Sequence, residues 1–159
     1  MDSAHFTRID SPLAMACRVE VNISASAAIV WSLLVDAEGF PRWNSTVTRI
    51  EGRIVDGARI RIHVPGTART FNPKVSGLVA GHRMQWSDGL SMIFKGVRTF
   101  QLQARNDEST DFVMEERFSG VVFALTRKML PDFRPIFESY ANDLKREAQR
   151  VQQARRPLP

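Results

Sequence analysis

From Leu130 onward the apolar residues Leu130, Phe133, Phe137, Tyr140, Leu144, Ala148 and Val151 follow one another at gaps of three and four. That spacing draws one stripe along an α-helix. The other faces carry Arg134, Glu138, Asp143, Lys145, Arg146, Glu147 and Arg150, so the helix is expected to lie on a surface rather than run through a core. Its first turns are expected near Val121. Pro131 and Pro135 cannot donate to the carbonyls one turn back and should kink or restart it, with Asp132 as the cap of the restarted part. Most of the chain before it reads as strands. One long amphipathic helix after a run of antiparallel strands requires a curved sheet to lie across, and such an arrangement encloses space.

In chain order, residues 1–16 show no period and read as a loose arm. Cys17, Val19, Val21 and Ile23 then alternate with Arg18, Glu20 and Asn22, the pattern of a half-buried strand. Ser24 or Ser26 can cap a short helix over about Ala25 to Val35. A second short helical turn is expected over Ala37 to Trp43. Strands follow over Thr46–Gly52, Ala58–Val64, Phe71–Ala80 and Arg83–Ser87. Pro73 favours an edge or a strand start, Gly77 a bulge, and Asp88-Gly89 a turn.

The next two strands form the clearest pair. Met92, Phe94, Gly96, Arg98, Phe100 and Leu102 share one face, as do Thr110, Phe112, Met114, Glu116 and Phe118. A hairpin centred on Asp107 sets Leu102 opposite Phe112, Phe100 opposite Met114 and Arg98 opposite Glu116. Two apolar rows thus end in a matched cation and anion on the inward face.

The chain has 159 residues, of which 43% are hydrophobic and 25% charged, the size and balance of one globular domain. No apolar run is long enough to span a bilayer, and the first residues lack the pattern of an export signal. The single cysteine, Cys17, excludes an internal disulfide and fits a reducing compartment, so the expected location is cytoplasmic. The formal net charge of +5 invites a nucleic-acid reading, but the cations are thinly spread until the tail (Lys145, Arg146, Arg150, Arg155, Arg156). No nucleic-acid signature accompanies them, and no nucleic-acid partner is expected.

The order strand, two short helices, six strands, long helix resembles the helix-grip layout of the START-like (SRPBCC) superfamily, which includes polyketide cyclase/dehydrase-like proteins and lipid-transfer domains. The residues that carry the resemblance are Val19 to Ser24 leading into Val30-Trp31, then Asp36, Phe40 to Trp43 and Asn44. Gly96 to Phe100 with Leu102, Glu116 to Gly120 and Leu144 to Glu147 add to it. The likeness runs from about Ala16 to Gln153. It implies an α+β fold: a seven-stranded curved antiparallel sheet, two short helices after the first strand, and a long C-terminal helix packed across the sheet. A single domain over residues 1–159 is expected, with a core of about 16–153 and loose termini at 1–15 and 154–159.

In such a fold a cavity lies between sheet and helix. The inward candidates are Trp31 from the first helix, Ile60, Ile62, Met84 and Trp86 from the middle strands, and Met92, Phe94 and Arg98 from the first hairpin strand. Met114, Glu116 and Phe118 come from its partner, and Phe133, Phe137 and Tyr140 from the last helix. Aromatic and sulfur-bearing side chains with few polar groups are the usual lining of a small-molecule pocket. Catalytic constellations are absent: His5, His63 and His82 are expected apart from any carboxylate, and no set of ligands has metal spacing. Cys17 reads as an inert buried thiol. Enzyme chemistry would fall to Arg98, Glu116 and Tyr140.

The expected function is therefore binding or carrying a hydrophobic or aromatic small molecule, by a monomer or homodimer without metal or organic cofactor. One alternative is a cyclase/dehydrase-type enzyme using the same cavity. Another is a module whose basic face meets an acidic partner or, transiently, a membrane surface.

Overall fold

The alternating stretch around Cys17 forms a central strand of the protein, whose computed structural model describes residues 3–155. Strand β2 (Ala14–Ile23) buries Met15, Cys17, Val19, Val21 and Ile23 on one face. On one side it pairs with β1 (His5–Ser11), on the other with β9 (Ser109–Ser119). The arm expected to be loose is thus an ordered edge strand. Its only buried residue is Phe6, and its other large apolar residue, Ile9, falls on the opposite, exposed face, so no period showed in the sequence. Met1, Asp2 and the frayed end expected at 157–159 lie outside the described residues.

Helix α1 (Ala27–Val35) starts at Ser26, whose side chain accepts the Ile29 N–H. Asp36 caps a short 3-10 turn (Ala37–Gly39), which runs into α2 (Phe40–Trp43). The Asn44 side-chain oxygen then accepts the backbone N–H groups of Thr46 and Val47 at 2.8 and 2.9 Å. Those donors are lost to any ladder, and β3 shrinks to Arg49–Glu51.

Strands β3, β4 (Arg61–His63) and β5 (Thr70–Phe71) form a small antiparallel sheet of their own. The main sheet has six strands in the order β1-β2-β9-β8-β7-β6, with β6 at Lys74–Val79, β7 at Arg83–Leu90 and β8 at Phe94–Asn106. The expected seven-stranded sheet is therefore corrected to a six-stranded and a three-stranded one. Pro73, without an N–H, sits at the break between β5 and β6. Residues 57–60 run beside β6 through a few bonds, such as Val75 N–H to Ala58 C=O at 2.8 Å. Gly77 adopts φ 59 where the β6–β7 register shifts, the expected bulge.

Asp88-Gly89 does not turn. Strand β7 continues to Leu90, and the reversal comes at residues 91–93, with Met92 at φ 72. The hairpin of β8 and β9 has the expected register: Leu102 faces Phe112, Phe100 faces Met114 and Arg98 faces Glu116.

The last helical region is divided at the prolines. Helix α3 (Val121–Thr126) and a 3-10 turn (Arg127–Met129) precede α4 (Arg134–Arg155). The Asp132 carboxylate accepts the Arg134 N–H at 3.0 Å, and Pro135 falls in the first turn of α4, where its missing donor costs little. Phe137, Tyr140, Ala141, Leu144 and Ala148 of α4 are buried against the sheet.

Candidate ligand-binding site

Even-numbered residues of β8 and β9 point toward α4. Along β8 they read Phe94, Gly96, Arg98, Phe100, and along β9 Met114, Glu116, Phe118. Arg98 and Glu116 meet midway. Nε and Nη2 of Arg98 donate to Oε2 of Glu116 at 3.0 and 2.6 Å. Their side chains are 20% and 15% exposed, and the guanidinium lies 5.6 Å over the Phe137 ring of α4. Burial works against the arginine's charge, but the charge and hydrogen bonds of Glu116 outweigh it and hold its pKa above the usual value. Gly96 is the next inward position on β8; a side chain there would lie 3.7 Å from the Phe118 ring and 3.8 Å from Oε1 of Glu116.

Two aromatic groups flank the pair. One centres on Tyr140, whose ring lies 5.8 Å from Trp43, 6.0 Å from Phe100, 6.4 Å from Phe112 and 6.5 Å from Phe40. Trp86 joins it, 4.7 Å from Phe100. The other centres on Phe118, 5.1 Å from Phe133, 6.2 Å from Phe94 and 6.3 Å from Phe123 of α3. Phe137 links the Phe118 group to Arg98.

The Tyr140 group contains buried donors with no hydrogen-bond partner: Nε1 of Trp43, Nε1 of Trp86 and the hydroxyl of Tyr140, with Nδ2 of Asn44 next in sequence. Burial raises the Tyr140 pKa above its ordinary value, the nearby Arg98 only partly opposing it. An unpartnered buried donor costs free energy that an acceptor brought by a ligand would recover.

The residues expected to line a site divide as follows. Ile60, Ile62, Met84, Trp86, Met114, Phe118, Phe137 and Tyr140 are buried. Trp31, Phe94 and Phe133 are partly buried against the same core. Met92 is not inward: it stands in the β7–β8 turn, 82% exposed, because the strand pairing carries the reversal two residues beyond the Asp88-Gly89 signal. The aromatic groups meet one another in the region between sheet and α4 where the cavity was expected. Two hollows lie on the surface, one on the far face of the main sheet around Arg18, Gln101 and Asp111, the other beside α4 around Asn142 and Gln149.

Sequence reasoning passed over Phe40, Trp43, Phe100, Phe112 and Phe123 as site residues. Phe100 and Phe112 stood in the same alternating rows as Arg98 and Glu116, which was the available signal. Asp143, read as a solvent-facing charge, is buried; its Oδ2 accepts the Ser45 N–H at 2.8 Å and the Ser45 hydroxyl at 2.6 Å, tying the end of α2 to α4. His63, expected apart from carboxylates, lies 2.8 Å from Oε1 of Glu51. The contact holds the Glu51 carboxyl below its usual pKa, on the small sheet, away from the interior. Cys17 is buried and its thiol is pushed up to about 11 by burial. Among the described residues, no group of three or more His, Cys, Asp and Glu side chains is placed to hold a metal ion. None of the described helices is long and apolar enough to cross a membrane.

Comparison with known proteins follows this architecture. A family model described as polyketide cyclase / dehydrase and lipid transport matches residues 16–149. The ZhuI aromatase/cyclase of Streptomyces sp. R1128 superposes with a TM-score of 0.68 at 16% identity, covering 95% of this chain and 99% of that one. A START superfamily protein of Mycobacterium smegmatis gives 0.65 at 16% identity, over 86% and 98% of the two chains. A norcoclaurine synthase of Thalictrum flavum gives 0.65 at 13% identity, over 92% and 99%. At these identities the structural likenesses establish the fold alone. No curated protein sequence matches.

Proposed function

The chain belongs to the polyketide cyclase / dehydrase and lipid transport family, and from that premise we propose that it binds a hydrophobic or aromatic small molecule between the main sheet and α4. The observation that carries the reading is the half-buried Arg98–Glu116 pair set between two aromatic groups. The rings supply apolar area, and the ion pair supplies one polar anchor. Entry of the ligand is expected where a ring or a covering element can move. Helix α3 is the covering element with the least behind it: Phe123 is its one buried side chain, lying on Phe94 and Phe118.

A thermal-shift and tryptophan-quenching screen of aromatic ketones and fatty acids tests the proposal, because Trp43 and Trp86 both sit in the interior. A ligand that binds only the folded state raises the melting temperature with its concentration. Quenching by such a ligand, weakened in Arg98→Ala, supports the site; no shift and no quenching with any compound overturns it.

One observation favours an enzyme on the same frame. Both Arg98 bonds end on Oε2, leaving Oε1 of Glu116 beside Gly96. An oxygen so placed is suited to take a proton from a substrate carbon next to a carbonyl, with the Arg98 guanidinium stabilising the enolate oxygen. Turnover of a bound ketone that disappears in Glu116→Gln while binding persists selects this reading.

A further inference from the structure

We propose that the end of the domain closed by α3 is a membrane-docking surface selective for anionic phospholipid. In the β7–β8 turn Met92 is 82% and Ile93 52% exposed, and on α3 and the following turn Val121, Leu125 and Met129 are 58%, 80% and 84% exposed. Leu13, in the β1–β2 turn, is 59% exposed. These tips are one surface: Gly120 N–H donates to Leu13 C=O at 3.2 Å, Val121 N–H to Met92 C=O at 2.9 Å, and Val122 N–H to Ile93 C=O at 2.9 Å. A contiguous patch of large apolar side chains on a soluble face marks a place where something else binds.

The charge around the patch selects the partner. Segments 11–15, 89–97 and 118–131 contain Lys95, Arg127 and Lys128 and no Asp or Glu. The acids just outside them are engaged: Asp10 by Arg8 and Arg127, Asp88 by the N–H groups of Asn72 and Gly89, and Asp132 by the Arg134 N–H. In a two-fold dimer the same patch meets itself, which would bring the lysines of both copies together with no acid between them. Lipid headgroups of negative charge oppose them instead. Side chains more than three-quarters exposed, such as Leu125 and Met129, also make few contacts with their own chain and are free to enter the headgroup–acyl boundary. The surface is independent of what the interior holds, although α3 covers that interior with Phe123.

Co-sedimentation of the full chain with vesicles tests this. Binding is expected to vesicles of phosphatidylcholine mixed with phosphatidylglycerol, to fall as salt is added, and to be weak with phosphatidylcholine alone. Leu125→Glu with Met129→Glu should abolish it, while Lys95→Gln and Lys128→Gln each reduce affinity about fivefold at low salt, all with unchanged melting temperature. Equal binding by these variants, or no binding to either vesicle, overturns the proposal. So does a concentration-dependent dimer dissociated by Leu125→Glu without vesicle binding, which would assign the patch to a second copy. Capture by an acidic peptide in preference to the mixed vesicles would likewise assign it to a protein.

Discussion

Arg98 and Glu116 face one another across β8 and β9, and both guanidinium hydrogen bonds land on one carboxylate oxygen, Oε2, at 3.0 and 2.6 Å. The pair is held against Phe137 from below and flanked on its strands by Phe100, Met114 and Phe118. A pair in that setting is strongly coupled, since removing either member leaves the other as a half-buried charge without its partner.

Glu116→Ala is therefore expected to destabilise the protein by about 3 kcal/mol, the loss typical when one member of a buried pair is removed. Arg98→Met combined with Glu116→Leu should recover most of that loss, because the apolar replacements need no compensation. Urea denaturation of the single and double variants measures the coupling. Equal and additive losses would mean that the two side chains act independently.

Tyr140→Phe runs the other way. The Tyr140 hydroxyl is buried and has no partner, so deleting it should stabilise the free protein by about 1 kcal/mol. If a ligand oxygen meets that hydroxyl, the same variant binds more weakly. The opposite signs, read from melting temperature without ligand and from affinity with it, separate a packing role from a binding role.

The pH dependence follows from groups whose ionisation burial opposes. The Cys17 thiol moves from 9.0 to about 11 in the folded protein, and the Tyr140 phenol is also raised. In that interval the native state holds protons that the unfolded chain releases, so stability falls as pH rises from about 9 toward 11. Cys17→Ala should flatten the first part of that decline. The same burial predicts that Cys17 stays unmodified by iodoacetamide at neutral pH until the protein is unfolded.

These interior features differ in how far the sequence revealed them. The β8–β9 register was readable because both strands alternate over many residues, and a slip by one would put Arg98 and Glu116 among solvent-facing positions. The edge strand β1 was not, since Phe6 alone of His5–Ser11 is buried. Met92 was assigned inward because Asp88-Gly89 reads as a turn, yet Gly89 adopts φ 88 within a ladder that pairs it with Lys95. The aromatic cluster was read only in part: Phe100 and Phe112 stood in the alternating rows, while Phe40 and Trp43 reach Tyr140 from α2, a contact that no local pattern announces. Residue type tells which side chains face inward and leaves the remaining volume open.

Gly120 is the joint on which α3 rests, and its substitution tests whether α3 is a separable cover. Its φ of 118 lies in a region that favours glycine, and a Cβ there would come within 2.3 Å of the Ile93 carbonyl oxygen. That backbone cannot yield without breaking the bonds from Val121 and Val122 to Met92 and Ile93. Gly120→Ala should therefore release α3 while leaving the β8–β9 hairpin and α4 folded, since α3 buries only Phe123. Amide exchange should quicken at Val121 and Val122 and remain slow at Phe100 and Met114. A fluorescent apolar dye should bind the variant, as Phe94 and Phe118 lose their lid. Uniform acceleration across the whole chain would instead show that α3 unfolds only together with the domain, which would remove it as the route into the interior.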